Sequence, residues 1–214
     1  MKDRRLTVGL VGQVCAGKSA VSAAFKKRGA ALYEADQVVH GLYEREDVKK
    51  EVRALLGDGV FDAQGRVDRK QVGAVVFADE GKFKALTEQI IFPRTGVVLE
   101  ALLKDFRAGK LPGAPRVLLV DAPTLFEAGR AGRCDEVLFV GAPKVMRERW
   151  AKAQRGWAPE ELARREARML DEAAKRARCS AVLENDGSLE DLDRKAGDLW
   201  SRWQGKLRPE EGEA

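Results

Sequence analysis

The stretch GLVGQVCAGKSAV, residues 9–21, decides the fold of this chain. Residues 12–19 match the pattern G-x-x-x-x-G-K-[ST] at every fixed position, between an apolar run and the start of a helical pattern. In such a loop the backbone N–H groups converge on phosphate oxygens, and the following helix adds positive potential at its N-terminus. The alternative, an ordinary strand-to-helix turn, does not need every fixed position to be filled. The stretch therefore predicts a phosphate-binding loop.

Two residues of this loop have specific tasks in the prediction. Lys18 reaches the β and γ phosphates of a nucleotide, and the Ser19 hydroxyl binds Mg²⁺. The residues predicted to surround the phosphates are Gly12, Val14, Cys15, Ala16, Gly17, Lys18, Ser19 and Ala20.

A second metal ligand is expected at the end of a neighbouring strand. Asp121 follows the apolar residues 117–120, so its carboxylate stands where a sheet places residues beside a phosphate loop. The alternative is that Asp121 caps the turn after the strand. Given the loop, we favour the metal role.

Short apolar runs alternate with longer helical patterns along the chain, which is typical of βαβ units. We therefore predict an α/β fold with a five-stranded parallel sheet flanked by helices. Helices are predicted from Lys18 onward and over residues 189–203. The predicted strands are residues 6–11, 30–36, 116–123, 136–143 and 181–185.

Two stretches are too long for simple crossovers between strands. Residues 37–112 hold several helical patterns, so we infer an inserted helical subdomain. Residues 144–179 predict two helices that are broken at RGWAP, residues 155–159, and form a hairpin. The predicted core comprises residues 1–36, 113–143 and 180–205, and residues 206–214 form a tail.

Composition narrows the class of protein. The 214 residues include 39 Lys and Arg against 34 Asp and Glu, a single histidine and three widely spaced cysteines. These counts disfavour a disulfide framework, a histidine-based metal site and a catalytic triad, and they fit a reducing cytoplasm. No apolar run is long enough to span a membrane. Because the arginines of residues 144–179 are largely matched by acids, we expect no nucleic-acid partner. We also expect a monomer or weak homo-oligomer.

Five motifs, taken in order, resemble those of one family. They are GLVGQVCAGKSAV at 9–21, YEADQVVHGLY at 33–43, GRVDRKQVGAVVF at 65–77, VLLVDAPTLFEAG at 117–129 and KRARCSAVLENDGSLEDL at 175–192. Their order and spacing resemble those of dephospho-CoA kinases over nearly the whole chain. The resemblance implies a P-loop kinase fold in which residues 37–112 bind the acceptor and residues 144–179 form a lid. It also implies ATP and Mg²⁺ as cofactors, and phosphoryl transfer to the ribose 3′-hydroxyl of dephospho-CoA.

The resemblance also implies roles for residues outside the loop. Asp36 matches the family's catalytic base, and the alternative is a strand-end cap. Asp68 and Arg69 match an acceptor-binding pair, although Asp68 also suits a helix N-cap. Asn185 and Gly187 match the loop near the adenine.

The predicted lid departs from the family pattern. The two arginines that the family places on the first lid helix fall here on Trp150 and Gln154. Arg149 and Arg155 stand one residue away, which is about 100° around a helix. We predict that Arg149 and Arg155 act as the catalytic lid arginines. Cys15 stands where the family often has glycine, so a positive φ there would be strained.

Other charges of the hairpin predict salt bridges along its helices. Five acids precede a base by four residues, the favourable order for helix pairing. The five pairs are Glu148 and Lys152, Glu160 and Arg164, Glu161 and Arg165, Asp171 and Lys175, and Glu172 and Arg176. Arg147, Arg149 and Arg155 lack such an acid and are the candidates for phosphate contacts.

Two other functions stay open at this point. One is another small-molecule P-loop kinase that acts on a nucleotide or nucleoside. The other is a non-catalytic ATP-binding relative, which the altered lid residues favour. Dependence of ADP release on the acceptor distinguishes these functions.

Overall fold

A five-stranded sheet forms the centre of the fold. A computed structural model describes residues 4–207 of the chain. The strands are β1 (Leu6–Gly12), β2 (Ala31–Glu34), β3 (Val117–Asp121), β4 (Glu136–Gly141) and β5 (Ala181–Glu184). They lie in the order β2-β3-β1-β4-β5, and β1 pairs in parallel with β3 and β4, as β4 does with β5. The predicted α/β fold with a five-stranded parallel sheet is confirmed.

Strand β1 lies at the centre of the sheet, and Thr7 is its one polar residue. Every residue of β1 and β4 is buried, as expected for strands of a parallel sheet that is covered on both faces. A Cβ atom on Gly12 would lie 2.2 Å from the backbone oxygen of Val140. Only glycine therefore lets the chain leave β1 so close to β4 and enter the loop.

Helices make up most of the remaining described chain. Helix α1 begins at Lys18 as predicted, and it buries Val21, Ala24 and Phe25 on one face. The helices are α1 (Lys18–Lys27), α2 (Ala35–Leu42), α3 (Glu46–Leu56), α4 (Arg69–Ala78), α5 (Glu80–Ala85), α6 (Phe92–Arg107), α7 (Lys144–Arg155), α8 (Pro159–Glu166), α9 (Glu172–Ala177) and α10 (Leu189–Lys206). A π-helical turn, Leu86–Ile91, joins α5 to α6, and Asp58–Val60 and Ala131–Arg133 are 3-10 turns.

Helix α10 is anchored to the sheet by aromatic packing and one buried acid. The rings of Phe25 and Trp203 have centroids 4.6 Å apart. Glu136, the first residue of β4, accepts hydrogen bonds from Trp203 Nε1 at 3.1 Å and Arg202 Nη2 at 2.7 Å, and it also contacts Lys206. These contacts hold the last turn of α10, which extends beyond the predicted end at residue 203.

The chain divides into two compact units. Within residues 4–207, one unit comprises the residues up to Tyr33 together with those from Asp105 onward, and the other comprises Glu34–Lys104. The second unit has its own hydrophobic core. Its buried members are Leu42, Tyr43, Val48, Val52, Val60, Val72, Val76, Leu86, Ile90 and Ile91. The assignment of residues 37–112 to acceptor binding stays a prediction.

Residues 144–179 form three helices, so the prediction of two was wrong. Helix α7 stops at Gly156, which has a φ of +66°, and Pro159 begins α8, as predicted. The second predicted helix is interrupted after α8, because Asp171 caps a new helix, α9. Its carboxylate accepts hydrogen bonds from the backbone N–H groups two and three residues later.

Salt bridges on these helices follow the predicted spacing only in part. Arg165 pairs with Glu161 at 2.7 Å, and Arg176 pairs with Glu172 at 2.7 Å, as predicted. Lys175 instead contacts Glu127 at 3.2 Å, since Asp171 serves as a helix cap. Residues 144–179 are therefore bound through Lys175 to the segment that follows β3.

Two segment ends differ from the prediction. Strand β2 ends at Glu34, so Asp36 lies in the first turn of α2 and not on the strand. The predicted tail begins inside α10, and residues 208–214 lie outside the described residues. Among residues 4–207, no helix combines the length and the apolar character needed to cross a membrane.

Candidate nucleotide-binding and active site

The phosphate loop connects β1 to α1 through residues 13–17. Gly17 caps α1 with a φ of +84°, and Cys15 has a φ of +58°, a left-handed conformation that non-glycine residues seldom adopt. Such a conformation costs about 1–3 kcal/mol and persists only when the surrounding structure holds it. The strain foreseen for Cys15 is therefore present, and its neighbours must maintain it.

Lys18 lies at the first position of α1 with its side chain folded over the loop. Its Nζ donates a hydrogen bond to the backbone oxygen of Gln13 at 3.0 Å. The ammonium group thus sits on the loop that would cradle a triphosphate. The helix N-terminus adds its own positive potential at the same place.

Asn185 supports the loop from the end of β5. Its Nδ2 donates to the backbone oxygen of Ala16 at 3.0 Å, and its backbone N–H donates to Gly141 at 2.8 Å. A Cβ atom on Gly17 would lie 2.3 Å from the same Nδ2, so the loop and the amide pack in direct contact. The structure places Asn185 against the loop, a position that the sequence did not predict.

Gly187 lies in the turn before α10, where it makes room for a helix cap. Ser188 and Asp191 form a reciprocal capping box at the start of α10. A Cβ atom on Gly187 would lie 2.6 Å from Asp191 Oδ2. This contact gives Gly187 a structural task, and its predicted place near the adenine stays a prediction.

Ser19 and Asp121 lie on the side of the loop that faces β3. Asp121 is the last residue of β3, and Ser22 Oγ donates to its Oδ2 at 3.4 Å. Ser19 is exposed and precedes Ser22 by one helical turn, so it lies on the same face of α1. Across residues 4–207 no group of three His, Cys, Asp or Glu side chains could hold a metal. A hydroxyl and one carboxylate nevertheless fit Mg²⁺, which takes one or two protein oxygens together with phosphates and waters.

Three arginines of α7 occupy different environments. Arg147 is buried, donates from Nε to the backbone oxygen of Ala142 at 3.0 Å and pairs with Glu166. Arg149 is exposed and lies about 200° around the helix from the buried Arg147. Arg155 is exposed at the end of α7, with its guanidinium carbon 4.9 Å from the centre of the Trp157 ring.

The pKa of the Cys15 thiol depends on burial and on the positive charges around the loop. Burial raises the pKa of Cys15, and the positive charges of Arg155, Lys18 and Arg147 oppose this rise. The thiol is therefore mostly protonated at neutral pH. The positive charges of Arg155 and Lys18 therefore both act on the loop, and Arg149 lies about 120° around α7 from Arg155.

The candidate residues of the second unit have local environments of their own. Asp36 is exposed in the first turn of α2. Asp68 caps α4, because its carboxylate accepts hydrogen bonds from the backbone N–H groups of Lys70 at 2.8 Å and Gln71 at 3.2 Å. Arg69 begins α4, and its charge opposes the burial that raises the pKa of Tyr43 to about 12.

Comparison with known proteins identifies the family. A family model described as dephospho-CoA kinase matches residues 6–191. The chain belongs to the dephospho-CoA kinase family. A dephospho-CoA kinase of Symbiobacterium thermophilum is 35% identical over 209 residues, which cover 96% of this chain and 83% of that protein.

Solved structures share the fold of this chain. TT1252 of Thermus thermophilus superposes with a TM-score of 0.75 at 31% identity, over 93% of this chain and 98% of that chain. The dephospho-CoA kinase of Campylobacter jejuni has a TM-score of 0.60 at 15% identity, over 92% and 97% of the two chains, and shares the fold. The predicted P-loop kinase fold is confirmed.

A cavity that the sequence did not predict lies beside the loop of this dephospho-CoA kinase family member. The cavity has a volume of about 410 Å³ and lies between residues 12–14 and the segment from α8 to α9. Glu127 holds this segment, since it accepts a hydrogen bond from the backbone N–H of Leu170 at 2.9 Å and pairs with the buried Lys175. Glu127, within the motif 117–129, was the one residue of the sequence that could have indicated this contact. Its partners, Leu170 and Lys175, lie 43 and 48 residues further along the chain, so the sequence did not reveal them.

Proposed function

We propose that this protein is a dephospho-CoA kinase, which transfers the γ-phosphoryl group of ATP to the 3′-hydroxyl of dephospho-CoA. The observation that carries the proposal is a complete phosphate loop, braced by Asn185, in a chain that matches the family over residues 6–191. The loop supports the choice of a nucleoside triphosphate as donor. The family membership supports the choice of acceptor.

The loop would bind the donor through its backbone and through Lys18. Its N–H groups and the N-terminus of α1 would surround the β and γ phosphates. Lys18, now bonded to the Gln13 carbonyl, would contact the same oxygens and neutralise part of their charge. The further loop residues of this proposal are Gly12, Val14, Cys15, Ala16, Gly17, Ser19 and Ala20, with Asn185 and Gly187 on the side of the adenine.

Ser19 and Asp121 would hold Mg²⁺. When bound, the ion neutralises charge between the β and γ phosphates. The Ser22 hydroxyl near Asp121 Oδ2 orients that carboxylate toward the first turn of α1. These side chains supply two oxygens, and ATP and water would complete the coordination.

Asp36 is the proposed general base. It would take the proton of the ribose 3′-hydroxyl as that oxygen bonds to the γ-phosphorus. The bond between the γ-phosphorus and the β–γ bridging oxygen breaks, and ADP leaves. Asp68 and Arg69 would bind the acceptor, with Asp68 fixing Arg69 at the first position of α4 through its helix cap.

Arg155 is the proposed lid arginine that stabilises charge on the transferring group. Its charge already acts on Cys15 of the loop. The Trp157 ring contacts two guanidinium groups. The guanidinium carbon of Arg155 lies 4.9 Å from the ring centre, and that of Arg165 lies 4.0 Å from it. Arg149 lies about 120° around α7 from Arg155, and its predicted catalytic role stays a prediction.

The test is an assay of ADP release with purified protein, ATP and Mg²⁺. Parallel reactions contain dephospho-CoA, AMP, adenosine or no acceptor, and mass spectrometry identifies the product. A Lys18→Ala variant controls for contaminating kinases. We expect ADP release that depends on dephospho-CoA and yields CoA.

Other results of this assay would contradict the proposal. Turnover only with AMP or adenosine would show a different small-molecule kinase. Measurable ATP binding without turnover would show a non-catalytic relative, for which the altered lid positions Trp150 and Gln154 would be the first explanation. We also propose that the enzyme acts in the cytoplasm as a monomer or weak homo-oligomer, where its three thiols remain free.

A further inference from the structure

Gln13, the second residue of the loop motif, uses both ends of its side-chain amide. Its Oε1 accepts a hydrogen bond from the backbone N–H of Ala142 at 2.9 Å. Its Nε2 donates to Glu172 Oε2 at 2.5 Å. A backbone donor on one side and a carboxylate on the other fix the orientation of the amide. The side chain therefore connects the loop to the end of β4 and to the start of α9.

Glu172 is held from its other side by residues outside the loop. Its Oε1 accepts from Arg176 Nε at 2.7 Å, and Arg176 Nη1 pairs with Glu184 Oε1 at 2.6 Å. The Arg176 guanidinium carbon lies 4.4 Å from the centre of the Phe139 ring. A Cβ atom on Gly141 would approach this pair within 2.5 Å, so the pair packs directly on the backbone of β4. The position of the Glu172 carboxylate is thus set by the sheet.

The backbone of Gln13 controls the lysine of the loop. Its N–H donates to the backbone oxygen of Val140 at 3.2 Å, and its carbonyl accepts from Lys18 Nζ at 3.0 Å. A shift of the side chain would move this carbonyl. Lys18 would then lose the position from which it meets phosphate.

The loop is tied at two points that flank its strained residue. Gln13 holds one side of Cys15, and Asn185 holds the other through Ala16. A left-handed non-glycine residue persists only where neighbours fix it. The two ties supply that constraint from opposite directions.

We propose that Gln13 is a positioning residue, and that its hydrogen bond to Glu172 sets the affinity of the loop for the triphosphate of ATP. The tie orders the loop before ATP arrives, so less conformational freedom is lost on binding. This inference rests on the proposed function only for the identity of the reaction. The affinity of the loop for ATP is a property that can be measured without turnover.

A charge-exchange experiment tests the tie. Gln13→Glu replaces the donor to Glu172 with a second carboxylate, while an oxygen still faces the Ala142 N–H. Adding Glu172→Gln restores a donor and an acceptor in exchanged positions and returns the net charge. The matched control adds Glu184→Gln to Gln13→Glu, which returns the same net charge beside Arg176 without restoring the hydrogen bond.

The measured quantities are the Kd for ATP by calorimetry, kcat, the KM of each substrate and the Tm. We expect Gln13→Glu to raise the Kd and KM for ATP about tenfold, the loss expected for a hydrogen bond to a charged group. The KM for dephospho-CoA should stay within about twofold, because the tie does not touch the acceptor-binding residues. The double variant with Glu172→Gln should recover to within about threefold of the parent, and the Glu184→Gln control should not.

Equal recovery in both double variants would overturn the proposal, since net charge near the phosphates would then explain the loss. An unchanged Kd in Gln13→Glu would overturn it as well. Gln13→Gly removes the tie without adding charge, and it decides the question if Gln13→Glu fails to fold. ATP affinity in this variant equal to that of the parent would refute the role of Gln13. If the parent binds ATP but leaves dephospho-CoA unchanged, the proposed function fails, while the calorimetric comparison still decides this inference.

Discussion

Asn185→Ala would remove the brace beneath the phosphate loop. The Ala16 carbonyl is fully buried and accepts from Asn185 Nδ2 at 3.0 Å. A buried carbonyl without a donor costs about 1–3 kcal/mol. If the loop relaxes to avoid this cost, ATP must restore its binding conformation. The whole cost then appears as a loss of affinity of about 5- to 150-fold, at 1.4 kcal/mol for each factor of ten.

Calorimetry with ATP, GTP and inorganic tripolyphosphate measures this effect and separates it from an adenine contact. A brace acts on the phosphate loop, so all three ligands should lose affinity by the same factor. Ser188→Ala is the matched control, because it removes the cap of the neighbouring α10 without touching the loop. A selective loss for ATP in Asn185→Ala would show that the residue reads the base. Unchanged affinity for all three ligands would refute the brace.

Further variants and one chemical probe test the remaining parts of the site. Asp36→Asn should lower kcat by about 10²–10⁴-fold, the range for loss of a general base, with the Kd for ATP unchanged; near-normal turnover would remove Asp36 from the reaction. Arg155→Ala should lower kcat by about tenfold or more, and Arg149→Ala should have a smaller effect, because of these two arginines it is Arg155 whose charge opposes the rise in the pKa of Cys15. The opposite order would mean that the lid turns its other face to ATP. Iodoacetamide should alkylate Cys15 at a lower pH than Cys134. Peptide mass spectrometry of protein treated at a series of rising pH values measures both reactions. Burial and Asp135 raise the pKa of Cys134 to about 12, whereas cations oppose the rise at Cys15. ATP should slow the reaction at Cys15, and equal rates with and without ATP would place the thiol away from the phosphates.

Local patterns in the sequence were sufficient to predict the sheet and the phosphate loop. The central strands β1, β3 and β4 are rich in buried apolar residues because both faces of the sheet are covered there, and the loop motif spans only eight residues, 12–19. The end of α7 at Gly156 and the start of α8 at Pro159 were predicted as well, because each of these residues acts on the backbone at its own position. Helix α9, the third helix of residues 144–179, was not predicted because its helical pattern continues from α8. Asp171 is nevertheless a residue type that favours the N-cap of a new helix.

Contacts between residues that are far apart along the chain could not be predicted from one sequence. Gln13 meets Glu172 across 159 positions, and Asn185 meets Ala16 across 169. The i,i+4 rule assigned Glu172 to Arg176 correctly, but a carboxylate has two oxygens, and the second one serves the loop. The sequence therefore identified the charged residues within 144–179, but it did not reveal that Glu172 contacts the loop or that Lys175 contacts Glu127.

The arginines of α7 show how one helix separates support from chemistry. Arg147 is buried between Ala142 and Glu166, so its charge is already neutralised and it fixes α7 against α8. Arg155 lies eight residues later at the end of α7, about 80° from Arg147 around the helix, and its charge opposes the rise in the pKa of Cys15. The Arg155 guanidinium carbon lies 4.9 Å from the centre of the Trp157 ring, and a cation–π contact with the face of a ring does not use N–H donors, so Trp157 can orient Arg155 without occupying its N–H groups. The displacement of the lid arginines by one residue is therefore compatible with phosphoryl transfer, provided that Arg155 alone supplies the charge.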